Sequence, residues 1–141
     1  MLLGEHEHSL DDKNRLTLPA KLREQLGENV VITRGMDGCL YVYARGDWDA
    51  LASRIGALDS LSADTRAMQR HFFVNASDAQ LDKQGRVVIP AILLERLGIG
   101  RDVTVNGVYD HLEIWDRAAW TKQRESEGSA EDVAERLANR D

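Results

Sequence analysis

The sequence predicts a mainly β fold with short helices, an α+β chain in which two copies of one unit pair about a pseudo-two-fold axis. Three observations lead there. Residues 10–27, LDDKNRLTLPAKLREQLG, return 71 positions later as residues 81–98, LDKQGRVVIPAILLERLG. Leu10, Asp11, Arg15, Pro19, Ala20, Leu22, Glu24, Leu26 and Gly27 recur as Leu81, Asp82, Arg86, Pro90, Ala91, Leu93, Glu95, Leu97 and Gly98. The likeness then continues with one extra residue in the second copy, so that Val31, Gly35, Leu40 and Trp48 answer to Val103, Gly107, Leu112 and Trp120. Finally, short apolar runs separated by turn residues fill both copies, which is the pattern of strands rather than of long helices. A unit of roughly fifty residues is longer than the simplest solenoid repeats, and two copies are too few for a solenoid. Such a unit is marginal alone, so the halves are expected to complete each other.

Taken in order, residues 5–10 and 76–81 read as the first strand of each copy. A turn follows at 11–14, where Asp11 can bond nearby backbone and Asn14 tolerates the left-handed region that Gly85 adopts freely in the second copy. The runs 16–18 and 87–89 read as short strands, the second of them β-branched throughout. Pro19 and Pro90 then occupy first-helical positions, and Gly27 and Gly98 end a two-turn helix with Leu22 and Leu26, or Leu93 and Leu97, on one face. Runs 30–33 and 40–43 flank Asp37-Gly38, a hairpin signal, and 102–105 with 112–115 repeat the arrangement. Asp47 is a candidate N-cap for a helix carrying Trp48, Leu51 and Ile55, and Ser62 for another running to about His71 with Met68 and Phe72 inward. Asp116 and Trp120 begin the matching helix of the second copy. The unrepeated tail, 121–141, is expected to fray, since Val133 and Leu137 are its large apolar residues; a short helix capped by Ser129 is the alternative.

Composition is globular, with 43% hydrophobic and 30% charged residues, and a net charge of -6 argues against an unstructured polybasic binder while leaving room for a local basic face. Cys39 is the single cysteine, so no intrachain disulfide can form and a reducing cytosol is the expected compartment. Neither a leader nor a membrane-length apolar stretch is visible.

Chemistry-bearing patterns are few. His6 and His8 lie on one side of a strand, but without a third ligand they read as a solvated face alternating with Glu5 and Glu7. His71 and His111 are isolated, and Cys39 reads as a small apolar residue beside a turn. No phosphate-binding glycine loop, nucleophile elbow or paired metal motif occurs, so no catalytic residue, metal or cofactor is expected. The Asp-x-x-x-Arg element stands apart because it occurs twice, as Asp11 with Arg15 and as Asp82 with Arg86. One reading makes each pair a staple across a turn. The other divides the work: Asp11, Asp82, Asn14 and Gly85 shape the loops, while Arg15 and Arg86 project as planar forks suited to phosphate or guanine. Lys13, Lys21 and Lys83 add charge, and over residues 11–34 five cationic side chains face four anionic ones.

Together, the motifs GEHEHSLDDKNRLTLPAKLR, TRGMDGCLYVY and LDKQGRVVIP resemble the MraZ family of bacterial transcriptional regulators over residues 1–120. The resemblance implies two AbrB-like swapped-hairpin units forming an intrachain pseudo-dimeric barrel: unit 1–58, a helical connector 59–75, unit 76–120 and the tail. It further implies a cytoplasmic, nucleoid-associated protein that assembles into closed rings and binds double-stranded DNA at direct repeats in the promoter of the division and cell-wall gene cluster. On that analogy Arg15 and Arg86 are DNA contacts and Lys13 is a further one. Asn14 stands where the family usually has glycine, and Leu3 where many members have arginine. A protein-interaction role of the antitoxin type is the alternative.

Overall fold

The computed structural model describes residues 1–140. Eight strands, β1 Leu2–Ser9, β2 Arg15–Thr17, β3 Asn29–Arg34, β4 Leu40–Ala44, β5 Ser77–Gln80, β6 Arg86–Val88, β7 Asp102–Tyr109 and β8 Leu112–Asp116, form two sheets. Helices α1 Ala20–Leu26, α2 Arg45–Gly56, α3 Ala63–Gln69, α4 Ala91–Leu97, α5 Arg117–Glu127 and α6 Ala130–Ala138 complete the chain, with a π-helical turn at Arg70–Val74. The large sheet runs β1-β7-β8-β4-β3-β5 and the small one is the pair β2-β6. Hairpins β3-β4 and β7-β8 each stay within one copy; every other pairing crosses between copies, β1 with β7, β5 with β3, β4 with β8 and β2 with β6, all antiparallel. Each hairpin thus receives its outer strand from the opposite half.

The expected closed barrel does not form, because the large sheet ends at β1 and β5. Leu10 N–H still reaches Arg101 O at 2.8 Å and Leu81 N–H reaches Glu28 O at 2.8 Å, but both segments then turn away into β2 and β6, which pair with each other. That ribbon packs on the main core. Leu16, Leu18, Val87 and Ile89 point inward from it and join Leu40, Val42, Val103, Leu112 and Ile114 in one buried cluster.

Val31 is not in that cluster. It packs on the opposite sheet face with Tyr43 and Trp48, while Val30 and Ile32 face the main core. Val30 opposes Ala44 in the first hairpin as Val103 opposes Asp116 in the second, so the structural counterpart of Val103 is Val30. The second copy carries two extra residues before β7 and one fewer in its hairpin loop, and a one-residue slip moves every side chain of a strand to the other face.

The turn assignments hold. Asn14 and Gly85 have φ of 58° and 76°, and Asp37 with Gly38 has 66° and 92°, the double left-handed conformation of a tight hairpin. Asp47 caps nothing: α2 begins two residues earlier, after Ala44, with Asp47 in its first turn. Pro19 and Pro90 occupy the N-cap rather than the first helical position. Ser62 accepts from Thr65 N–H as expected, and Asp116 from Ala119 N–H. Ser129 likewise accepts from Asp132 N–H, so the tail folds as α6 rather than fraying. Helix α5 lies against β7 and β8, with Trp120 donating to Glu5 Oε1 at 3.0 Å. No helix among the described residues is long and apolar enough to cross a membrane.

Strand β1 begins at Leu2, earlier than expected, and pairs with β7 over its whole length. Gly4 opposes Gly107 there, and a Cβ on Gly107 would overlap the backbone nitrogen of Leu3. Backbone cannot yield as a side-chain tip can, so Gly107→Ala should force β1 off its partner. A denaturant melt of that variant is expected to show a loss of about 1–3 kcal/mol.

Candidate nucleic-acid interface

Each Asp-x-x-x-Arg element folds into the same hydrogen-bonded turn. Asp11 Oδ1 accepts from Lys13 N–H at 2.9 Å and Arg15 N–H at 2.8 Å, while Oδ2 accepts from Arg15 Nε at 2.6 Å. Asp82 repeats this with Gln84 N–H at 2.9 Å, Arg86 N–H at 2.9 Å and Arg86 Nε at 2.7 Å. Backbone bonds from Asn14 N–H to Asp11 O and from Gly85 N–H to Asp82 O close the loops. Staple and projecting fork therefore coexist: the carboxylate takes the Nε edge of each arginine, and the terminal nitrogens have no partner among the described residues.

These bonds hold the Asp11 carboxyl well below its ordinary 3.8, at about 2: the Arg15 N–H contributes most, burial opposes it as the next largest effect, and the guanidinium and the Lys13 N–H together outweigh that opposition. Asp82 is lowered by the same contacts from Arg86 and Gln84. A carboxyl whose folded pKa is depressed stabilises above its unfolded value, and that contribution is lost as pH falls through the folded one. The turn is therefore expected to stay formed at pH 3.8 and to loosen near pH 2. A carboxyl-carbon NMR titration checks this; a midpoint near 3.8 for Asp11 would contradict the geometry.

The ribbon sets where the arginines point. Arg15 opposes Val88, Leu16 opposes Val87 and Thr17 opposes Arg86. Leu16 and Val87 are buried, and period-two alternation puts Arg15, Thr17, Arg86 and Val88 on the outer face. Ile89 N–H bonds Asn14 O and Leu18 N–H bonds Gly85 O, so the intervening pairs Arg15–Val88 and Thr17–Arg86 fall at the closer, non-hydrogen-bonded positions, with Cα atoms about 4.5 Å apart. Arg15 and Arg86 are diagonal neighbours about 7–8 Å apart. Both side chains are 29% exposed.

Lys13, Lys21 and Lys83 are exposed beside this ribbon, in its two turns and on α1. Arg23 was not singled out from the sequence, yet its guanidinium lies across Gly85 of the opposite copy, so close that a Cβ there would overlap it. A usable signal existed in the duplication: the counterpart of Gly85 is Asn14 and that of Arg23 is the buried Leu94.

The histidines lie away from this face. His6 and His8 are half-buried on the side of β1 that shares its face with Val103 and Val105, whereas Glu5 and Glu7 point toward α5; the solvated histidine face is not what forms. Burial, then His6 and Arg117, lower the His8 pKa. His71 Nε2 lies 2.8 Å from Gly35 O, and His111 Nδ1 lies 2.8 Å from Asp110 Oδ1. Cys39 is buried, which raises its thiol pKa and leaves it unreactive. Among the described residues, no group of three or more His, Cys, Asp or Glu could hold a metal ion.

The family model described as "MraZ protein, putative antitoxin-like" matches twice, over residues 1–71 and 72–141. Relatives named "Transcriptional regulator MraZ" align along nearly the whole chain. That of Heliobacterium modesticaldum is 45% identical, covering 100% of this chain and 99% of its own. The Clostridium acetobutylicum relative is 41% identical over 98% and 97%, and the Limosilactobacillus fermentum relative 44% over 92% and 90%.

Proposed function

From the premise that the chain belongs to the MraZ family, we propose that it is a transcriptional regulator binding duplex DNA through the outer face of the β2-β6 ribbon. The observation that carries this is the placement of Arg15 and Arg86 as diagonal neighbours on one outward face, with their terminal nitrogens unengaged among the described residues. A two-stranded ribbon fits the major groove, and a guanidinium fork can bridge guanine O6 and N7 or clasp a phosphate. Asp11 and Asp82 hold the forks in position, Asn14 and Gly85 permit the turns, and Lys13, Lys21 and Lys83 contact the flanking phosphates. The exchange of outer strands between hairpins supports the swapped-hairpin reading, with units 1–58 and 76–120 around a connector at 59–75.

One such face neutralises few phosphates, and a net charge of -6 opposes approach. Assembly of chains into a closed ring would present several faces at fixed spacing, so that adjacent direct repeats in the promoter of the division and cell-wall genes are held at high effective concentration. The protein then acts in the cytoplasm, at the nucleoid. A salt-dependent titration on the repeat DNA upstream of its own gene is expected to show affinity about a thousandfold or more above that for unrelated duplex. Equal affinity for the two duplexes would refute sequence-specific regulation.

The description of the matched family favours one other reading, a protein-interaction module of antitoxin type. Truncation after Gly128 separates the two, because it removes α6 while sparing α5 and its contact with Glu5. Retained DNA binding supports the ribbon; loss of a protein partner with DNA binding already absent supports the module.

A further inference from the structure

The outer face of the ribbon is symmetric in its arginines and asymmetric in everything between them. The pseudo-two-fold axis exchanges Arg15 with Arg86 and, on the other diagonal, Thr17 with Val88. One turn farther on, it exchanges Lys21 with Ile92. The first copy therefore offers a hydroxyl and an ammonium where the second offers two bare aliphatic groups. Val88 is 57% exposed and Ile92 50%. Isolated apolar residues on a surface are ordinary. Val88 is different because of its neighbours: it stands directly opposite Arg15 and two residues along its strand from Arg86, at the centre of the cationic face. Charge asymmetry does not mirror this, since the first turn carries Asp12 and Lys13 and the second Lys83 and Gln84.

We infer that Val88, with the exposed Ile92 four residues on, is a specificity-determining residue that packs on the 5-methyl group of a thymine beside the bases or phosphates engaged by Arg15 and Arg86. The inference rests on the DNA-binding reading above. The arginines on either side bring a polyanion to this face, and the thymine methyl is the apolar feature that base edges display in the major groove. Thr17, in the matching place, instead carries a hydroxyl able to bond either a base or a phosphate. A nearly two-fold protein thereby reads an asymmetric sequence and sits on it in one orientation. That suits repeats that all run in one direction.

The test uses the full chain and the repeat duplex, with each thymine replaced in turn by deoxyuridine, which lacks only the methyl. Wild-type protein should lose about fourfold in affinity at one or more positions, the ratio expected for uncovering one methyl-sized group. Val88→Ser, which removes both methyls, should abolish that sensitivity while leaving the melting temperature and the salt slope unchanged; Val88→Thr, which keeps one methyl able to meet thymine, should retain part of it. Ile92→Lys, a surface change made separately, should diminish it. Specific binding with no thymine position sensitive to the methyl, or full sensitivity retained in Val88→Ser, would overturn the inference alone. Sensitivity of self-association, rather than of DNA binding, to Val88→Ser would also overturn it and mark the patch as a protein contact. Failure of the wild-type chain to prefer the repeat duplex would instead bring down the regulator reading on which the inference rests.

Discussion

Arg15→Ala and Arg86→Ala are each expected to weaken binding to the repeat duplex by about 1–3 kcal/mol, roughly five- to 150-fold, with the fold intact. Both side chains lie on the outer ribbon face, and among the described residues each is paired with its own surface aspartate, Arg15 with Asp11 and Arg86 with Asp82. Surface ion pairs of this kind contribute little to stability, so the melt should barely move. Lysine is not a substitute. A single ammonium cannot bond the carboxylate and keep a planar fork turned outward, so Arg15→Lys should resemble the alanine variant more than the wild type. Fluorescence anisotropy at two salt concentrations distinguishes the possible roles. A base-reading arginine changes the preference for the repeat, whereas a phosphate-binding one lowers affinity for all sequences alike and flattens the salt slope. Normal binding by both alanine variants would remove the arginines from the interface.

Leu16→Ala is expected to cost about 2–5 kcal/mol of folding stability, the range for a fully buried leucine whose surroundings cannot collapse. Leu16 is 0% exposed and lies opposite Val87 where the ribbon packs on the main core. The same side chain anchors Arg15 and Thr17 from beneath, so DNA affinity should fall in step with the unfolded fraction and recover on cooling. Arg15→Ala would show no such recovery. A urea melt followed by binding at two temperatures separates the two effects, and a loss below about 1 kcal/mol would show that the ribbon is not part of the cooperative core.

What could be read from the chain was whatever local chemistry determines. Asp11, Asn14 and their counterparts specify a turn from within five residues, and both turns form as expected. Ser62, Asp116 and Ser129 cap helices for the same reason. Local chemistry misplaced helix starts by a few residues, at Asp47, Pro19 and Pro90, and the larger differences lie where the deciding partner is distant. The start of β1 depends on β7, the face of Val31 on an insertion ahead of the matching strand, and the open sheet on β2 and β6 finding each other across seventy residues of sequence. Of the site, the arginines were legible because they recur. Val88 was hidden inside an apolar run, and only the alternation of burial shows that it faces out.

Because every outer strand is lent by the opposite half, synthesis order becomes a constraint. When the first half has left the ribosome, β3 still lacks β5, and Leu2 cannot meet Tyr109 until nearly the whole polypeptide has emerged. A nascent chain in that condition carries unsatisfied edges whose natural complement is another nascent half. Fusing the two halves into one gene product makes the correct complement arrive from the same ribosome, seconds later, ahead of any neighbour.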